Sequence, residues 1–368
     1  FIGKLRVREA LGDGYVEALR AAWPDVPDSA DLVMYWWHHA AALVQQGLLH
    51  RFGFISTNSL RQPFNRRVIE RYLSDGSSPL SLTFAVPDHP WIDSADGASV
   101  RISMSVAQRG NYDGRFLQVV DEQHSTAEGF QPTFRDSSGR IHPDLRVGAN
   151  VSRAKSLAGN GGIAAAGVYP HGAAMVVTPE QASHFESDAP LRPYRNGKDL
   201  TDRPRGALVI DCYGLSAEEV RASFPRLYQW LVDRVKPERD ANRDKDLREK
   251  WWLHRRNNDE MRRALKGLER YFATAMVSKH RFFVSMDPEV LPDQKVVAIA
   301  LEDFAALGVL SSVPHTTWSI ASCSWLGVGN DPVYSKTRCF DPFPFPASNE
   351  EQAADIRELG EHLETHRK

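Results

Sequence analysis

Arg51-Phe52-Gly53-Phe54-Ile55-Ser56-Thr57-Asn58 decides how the N-terminal part of this chain is read. It is a short apolar run closed by polar residues, the length and composition of a buried strand. Upstream, residues 29–49 place Leu32, Tyr35, Trp36, His39 and Leu43 at helical spacing, between a Ser-x-Asp cap at Ser29 and a stop at Gly47. Residues 1–28 read as a polar, turn-prone lead-in. Downstream, residues 63–73 form a charged amphipathic helix, Asp75-Gly76-Ser77-Ser78 a turn, and residues 79–86 a second strand. Val100-Arg101-Ile102-Ser103-Met104-Ser105-Val106 then alternates apolar and polar, the pattern of a strand with one covered face. Strand, helix, strand, turn, strand is the order of the second half of a Rossmann-like sheet ending in an antiparallel hairpin. The predicted fold class is α/β.

At 368 residues the chain exceeds a usual single domain, so two cores are expected. Gly, Asp, Ser and Arg dominate residues 111–159, which puts a domain boundary near residue 125. The division is then 1–125, 126–346 and a C-terminal helix at 347–368. In the second domain, strands are predicted at 167–169, 175–178 and 207–211, helices at 217–235 and 259–274, and a strand pair at 281–285 and 296–300. The formal net charge of -2 gives no global case for a polyanionic partner, so any basic surface must be local. Cys212, Cys323 and Cys339 lie far apart and outside any paired motif, which fits reduced thiols and speaks against a zinc site or disulfide framework. The longest apolar stretch, 35–49, is interrupted by His38, His39, Gln45 and Gln46, too short and polar to span a bilayer. A cytoplasmic protein with no membrane partner is the expectation.

A series of segments in the second domain carries a more specific signal. In order, they are Arg192-Pro193-Tyr194-Arg195-Asn196-Gly197-Lys198-Asp199-Leu200, Val209-Ile210-Asp211, Val235-Lys236-Pro237-Glu238-Arg239, Trp251-Trp252, and Val277-Ser278-Lys279-His280-Arg281-Phe282. Leu307-Gly308-Val309-Leu310-Ser311-Ser312 and the ending Phe340-Asp341-Pro342-Phe343-Pro344-Phe345-Pro346 follow. Together they resemble the single-chain adenine-specific DNA methyltransferases of restriction-modification and phage-defence systems, the type IIL and type IIG enzymes. The resemblance covers essentially the whole chain. It implies the C-terminal half of a methyltransferase catalytic sheet, followed by an α+β target-recognition domain that reads double-stranded DNA. Phe1 matches the aromatic fourth position of the family's Asn-Pro-Pro-Phe/Tyr catalytic turn. The rest of that turn and the S-adenosylmethionine-binding half are then expected in a missing N-terminal half of the same enzyme, a partner of this part.

On that resemblance the candidate catalytic residues are Phe1, His89 and Trp91. A base must leave the helix before its exocyclic amine is methylated, and aromatic walls receive it. Phe84-Ala85-Val86-Pro87-Asp88-His89-Pro90-Trp91 ends a strand, where open α/β sheets place ligand-facing loops; a hydrophobic lid on the sheet is the other reading. Asn58 closes the preceding strand and orders the pocket or simply makes a turn. For DNA contact, residues 251–281 hold eight Arg or Lys against three Asp or Glu. Arg255, Arg256 and Asn257, with Asn258, offer donors suited to base edges, Arg262 belongs to the same basic patch, and Lys279 and Arg281 suit phosphates. Tyr194, Arg195, Asn196 and Lys198 form a second basic cluster. Solvated helix faces and a turn organised by Gly197 are the alternatives.

Three further segments imitate sites. Gly159-Asn160-Gly161-Gly162 has glycines suited to a cofactor loop but follows Arg153-Ala154-Lys155-Ser156 rather than an apolar strand. Asp341-Pro342-Phe343 opens like a permuted cofactor loop but continues Pro344-Phe345-Pro346 where glycines are required. No cofactor-binding residue is therefore assigned. Ser311-Ser312 with His315 and Trp318 lacks a third group to orient the His, so packing is expected. Asp287 with Asp293-Gln294-Lys295 imitates a metal nuclease, yet no metal and no cleavage are expected. Trp36, Trp37, Trp251 and Trp252 read as core or interface anchors.

Overall fold

A computed structural model of the chain describes residues 6–91, 100–125, 129–151, 154–326 and 331–367. Two compact units emerge, Phe1–Arg153 with Ser324–Asp331, and Ala154–Cys323 with Pro332–Lys368. The division falls beyond the composition change near residue 125, because the polar segment there pairs into the first unit's sheet.

The first unit runs α1 (Val7–Leu11), α2 (Asp13–Ala22), α3 (Val33–Gln45), β1 (Arg51–Thr57), α4 (Pro63–Leu73), β2 (Leu80–Trp91), β3 (Val100–Arg109), β4 (Gly114–Ser125) and β5 (Gly129–Gly139). The lead-in is thus helical, not a run of turns. Sheet order is β1-β3-β2-β4-β5. β3 lies between β1 and β2 and is antiparallel to both, so β1 and β2 run in the same direction. β2 and β3 form the antiparallel hairpin that the order of segments predicts. β4 joins β2 in parallel over Phe84↔Arg115 and Ala85↔Phe116, and β5 returns antiparallel.

The α3 stripe is rotated from the one read in the sequence. Met34, Trp37, Ala41 and Val44 are fully buried against Ile69, Tyr72 and Leu82, whereas Trp36 is 64% exposed. Both sets of positions recur at helical spacing, so periodicity alone does not choose between them. Trp36 is not a core anchor.

The second unit comprises β6 (Ala164–Ala166), β7 (Val176–Val177), α5 (Pro179–Ala182), β8 (Leu191–Arg195), α6 (Gly197–Thr201), β9 (Leu208–Ile210), α7 (Ala217–Ser223), α8 (Pro225–Arg234), α9 (Lys236–Asp240) and α10 (Lys245–Glu249). α11 (Asp259–Leu265), β10 (Tyr271–Ala275), β11 (Val284–Met286), β12 (Leu291–Pro292), β13 (Val296–Ile299), α12 (Phe304–Ser311), α13 (Val313–Ser322) and α14 (Glu350–Arg367) follow. Two sheets form, β11-β10-β13-β6 and β12-β8-β9-β7. Alternation along the strands layers them. Tyr271, Ala273, Val296 and Ala298 share a core with Tyr194 and Val209, while Phe272, Val297 and Ile299 face Leu307, Leu310 and Phe340. Ile210 packs beneath α7 and α8 with Val220, Leu227 and Leu231. The result is helices, sheet, sheet, helices, the α/β class predicted.

Three elements differ from the sequence expectation. The helix predicted over 217–235 breaks at Phe224 (φ -132, ψ 64), because Pro225 excludes helical geometry from the residue before it. The helix predicted over 259–274 stops at Leu265; Gly267 takes φ +86, and Tyr271–Ala275 becomes a fully buried central strand. The segments 281–285 and 296–300 do not pair with each other, since β10 lies between them.

Candidate nucleic-acid interface

In the first unit, β1 and β2 finish at the same end of the sheet. Asn58 Nδ2 donates to Asp88 Oδ1 at 3.1 Å, and Arg101 Nε donates to the same oxygen at 2.7 Å. Ser103 Oγ donates to Pro87 O at 2.7 Å. These bonds fix Pro87–Trp91 where a register shift between Val86 and His89 re-aims the strand. Behind Asn58, Asp31 Oδ2 accepts from Ser59 Oγ at 2.7 Å and from Asn65 Nδ2 at 2.8 Å, tying the loop after β1 to α4. His89 Nδ1 donates to Pro90 O at 2.6 Å, and its ring stacks on Phe134 with centroids 5.8 Å apart and planes 21° from parallel. Trp91 is 44% exposed. This end of the sheet therefore presents aromatic surface held by a polar cluster. Phe1 lies outside the described residues. Phe134 was invisible to sequence reasoning, because only the pairing of β5 brings it back to His89.

The second unit sorts its basic residues by what they touch. Arg262 binds Asp211 with both terminal nitrogens, at 2.9 and 2.8 Å, and its guanidinium lies over the Tyr213 ring at 4.4 Å. Arg281 donates to Thr274 Oγ1 at 2.9 Å and to Ala275 O, and it lies over the Tyr334 ring at 4.9 Å. Burial lowers its pKa. Arg255 is paired with Asp244. All three are engaged by groups of the chain itself, Arg262 and Arg281 the more deeply. Asn257 is half-buried and its carbonyl accepts from Arg262 Nε at 2.8 Å. Arg256 and Lys279 are exposed and, among the described residues, make no ion pair.

The 194–198 cluster divides in the same way. Tyr194 is buried, and its hydroxyl donates to Asp293 Oδ2 at 2.6 Å; burial raises its pKa. It is a core residue rather than a surface contact. Asn196 caps α6, accepting from Lys198 N at 2.9 Å and Asp199 N at 3.0 Å, while Asp199 Oδ2 accepts from Asn196 N at 3.0 Å. Burial alone raises the Asp199 carboxyl, but Arg205 and the backbone donors hold it down to about 2. Arg195 is half-buried, and Lys198 is exposed with no ion pair among the described residues. Lys198 and Asn196 share the wall of a cavity of about 540 Å³ with Gln294 and Lys295, two residues read in the sequence only as part of a false metal motif. The missed signal was the Asp-x-Lys turn itself, in which Asp293 Oδ1 accepts from Lys295 N at 2.9 Å.

The imitation sites have structural jobs. Asn160 Nδ2 donates to the carbonyls of Phe340, Asp341 and Phe343 at 3.2, 3.1 and 2.8 Å, so the glycine segment around it is a clamp on the 340–346 ending. Asp341 is itself buried, which raises its carboxyl. The Asn160 amide and these three carbonyls are thus engaged with each other. His315 is fully buried, donates Nδ1–H to Leu310 O at 2.8 Å and accepts from Tyr334 OH at 3.3 Å; burial lowers its pKa to about 4. Ser312 caps α13. No helix among the described residues is long and apolar enough to cross a membrane.

No protein-family model and no curated protein matches this sequence. Among solved structures, the chain is similar to the type IIL restriction-modification enzyme MmeI in complex with DNA, with a TM-score of 0.73 and 17% identity over 100% of this chain and 48% of that one. The two share a fold, and this chain spans about half the length of that enzyme. The type IIG restriction endonuclease BpuSI matches at a TM-score of 0.33 and 10% identity, over 95% of this chain and 47% of that one, too loosely to argue from.

Proposed function

We propose that this chain is the far half of the catalytic sheet and the target-reading domain of a site-specific DNA methyltransferase from a restriction-modification or phage-defence system. The reaction is transfer of a methyl group from S-adenosylmethionine to the exocyclic amine of adenine. The observation that carries the reading is the half-sheet in which an antiparallel strand separates two like-directed strands, within a fold shared along the whole chain with a restriction-modification enzyme whose structure contains DNA. On this reading, His89 stacked on Phe134, with Trp91 beside it in sequence, walls the pocket for an everted adenine, and Asn58, Asp88 and Arg101 position that wall. The methyl donor is held by residues of the parent enzyme other than those described.

A second reading, a DNA-binding specificity module without catalysis, is favoured for the chain by itself, because the Asn160 amide in one donor-loop imitation is spent on the carbonyls of the other. Binding separates these readings from a methyltransferase acting on RNA or protein. In a salt-titrated anisotropy series the chain prefers duplex DNA to RNA of the same sequence, with log affinity falling linearly against log salt. Indifference to DNA removes both DNA readings. Calorimetry with S-adenosylmethionine gives no heat for the 368-residue chain, and a clear signal there overturns the assignment of the donor berth to other residues.

A further inference from the structure

Caps, turns and ion pairs engage many of the second unit's charged groups, but one recess keeps two exposed ammonium groups without a carboxylate partner. The cavity of about 540 Å³ lies between α6, which supplies Lys198 and Thr201, and the turn after β12, which supplies Asp293, Gln294 and Lys295. Among the described residues, Lys198 and Lys295 make no ion pair and the half-buried Gln294 amide makes no hydrogen bond. Asp293 faces inward on its own structure, its two oxygens accepting from Tyr194 OH at 2.6 Å and Lys295 N at 2.9 Å. Two lysines against one aspartate leave the recess with a formal charge of +1.

Both walls are rigid. Val296 N donates to Asp293 O at 2.8 Å, closing a turn with Gln294 and Lys295 at its corners, and Asp293 N donates to Arg195 O at 2.8 Å. The Asn196–Asp199 capping box fixes the facing helix start. A recess that is already formed loses little entropy when a ligand enters. An unpaired amide flanked by unpaired ammonium groups suits a ligand with a mixed donor-acceptor edge and negative charge nearby, which describes a nucleotide in a duplex.

We propose that this recess, rather than the arginine-rich stretch 255–262, reads one adenine of the target sequence. The Gln294 amide pairs with the adenine N6 and N7 edge, and Lys198 and Lys295 hold the flanking phosphates. The proposal rests on the DNA reading above.

The test is selection from a random duplex library by the 368-residue chain, followed by sequencing, repeated with Gln294→Leu and Gln294→Glu. The unaltered chain selects adenine at a position where Gln294→Leu loses that preference by about tenfold or more, and Gln294→Glu shifts it toward cytosine, whose amine suits a carboxylate. The double variant Lys198→Gln/Lys295→Gln weakens all sequences alike and lowers the salt slope by about 1.8. Circular dichroism and melting of each variant establish that it is folded. Preference profiles that are the same for the unaltered chain and both Gln294 variants overturn the proposal and leave the DNA reading standing. Failure of the unaltered chain to retain any duplex removes both.

Discussion

Arg262 and Asp211 form a two-pronged ion pair, with nitrogen-to-oxygen distances of 2.9 and 2.8 Å between side chains that are only 12% and 6% exposed. The pair joins α11 to the residue that follows β9 and withdraws from the surface an arginine that its sequence neighbourhood marks as a DNA contact. Arg192 approaches the same carboxylate only at 4.0 Å and does not replace it. Removing the partner leaves a buried carboxylate uncompensated, so Arg262→Ala is expected to cost about 3 kcal/mol in chemical denaturation. The salt dependence of DNA binding should stay as it is. A variant of unchanged stability with a reduced salt slope would return Arg262 to the DNA surface.

Stability should fall on mild acidification. His254 and His315 are buried, which lowers each to about 4, whereas an unfolded histidine titrates near 6.5. Between those values the unfolded chain binds protons that the folded chain refuses. The contribution is therefore fully present above about pH 6.5 and is lost as the pH falls toward about 4, with a slope of about 1.4 kcal/mol per pH unit for each histidine. Denaturation midpoints from pH 8 to 4.5 measure it. His315→Gln should remove about one proton from the slope; an unaltered slope would show that His315 already titrates normally in the folded state.

How much of this was legible depends on what the residues had to declare. β1, α4, β2 and β3 are announced by apolar runs, by period-two alternation and by the turn at Asp75–Ser78, because each signal is local. β4 and β5 are not, since Asp, Gln, Ser and Arg dominate strands whose pairing comes from joining an existing sheet edge. Tyr271–Ala275 is taken for the tail of a helix because nothing local shows that it is to be covered on both faces. The cation count over 251–281 is correct as a count and misleading as a surface. Whether Arg281 meets solvent or the Tyr334 ring is decided by residues half a hundred positions away, and a sequence window does not contain them.

The close approach of α12 and α14 offers a packing test. A Cβ on Gly360 would fall 2.1 Å from Phe304 O, and one on Gly308 would meet Ile356 O at 2.7 Å. Neither contact is with a flexible side-chain end, so the helices must separate. Gly360→Ala is expected to destabilise by about 1–3 kcal/mol, as overpacking does. Gly14→Ala is the control: it lies inside α2 with nothing within 4 Å of the new methyl, and should stabilise by about 0.5–1 kcal/mol. Equal melting temperatures for the two variants would mean that the α12–α14 contact is looser than described.

Arg256 and Lys279 are the sharpest test of where duplex DNA lies. Both are exposed, and among the described residues neither makes an ion pair, so neither contributes much to folding. A cation that meets a phosphate releases a counterion, and each such contact adds about 0.9 to the slope of log affinity against log salt. Arg256→Gln and Lys279→Gln should each lower that slope by about 0.9 with unchanged melting temperature. Arg281→Gln should do the reverse, because its guanidinium is engaged by Thr274, Ala275 and the Tyr334 ring: a lower melting temperature and the same slope. If all three variants leave the slope alone while binding persists, the phosphate-contacting face lies elsewhere on the chain.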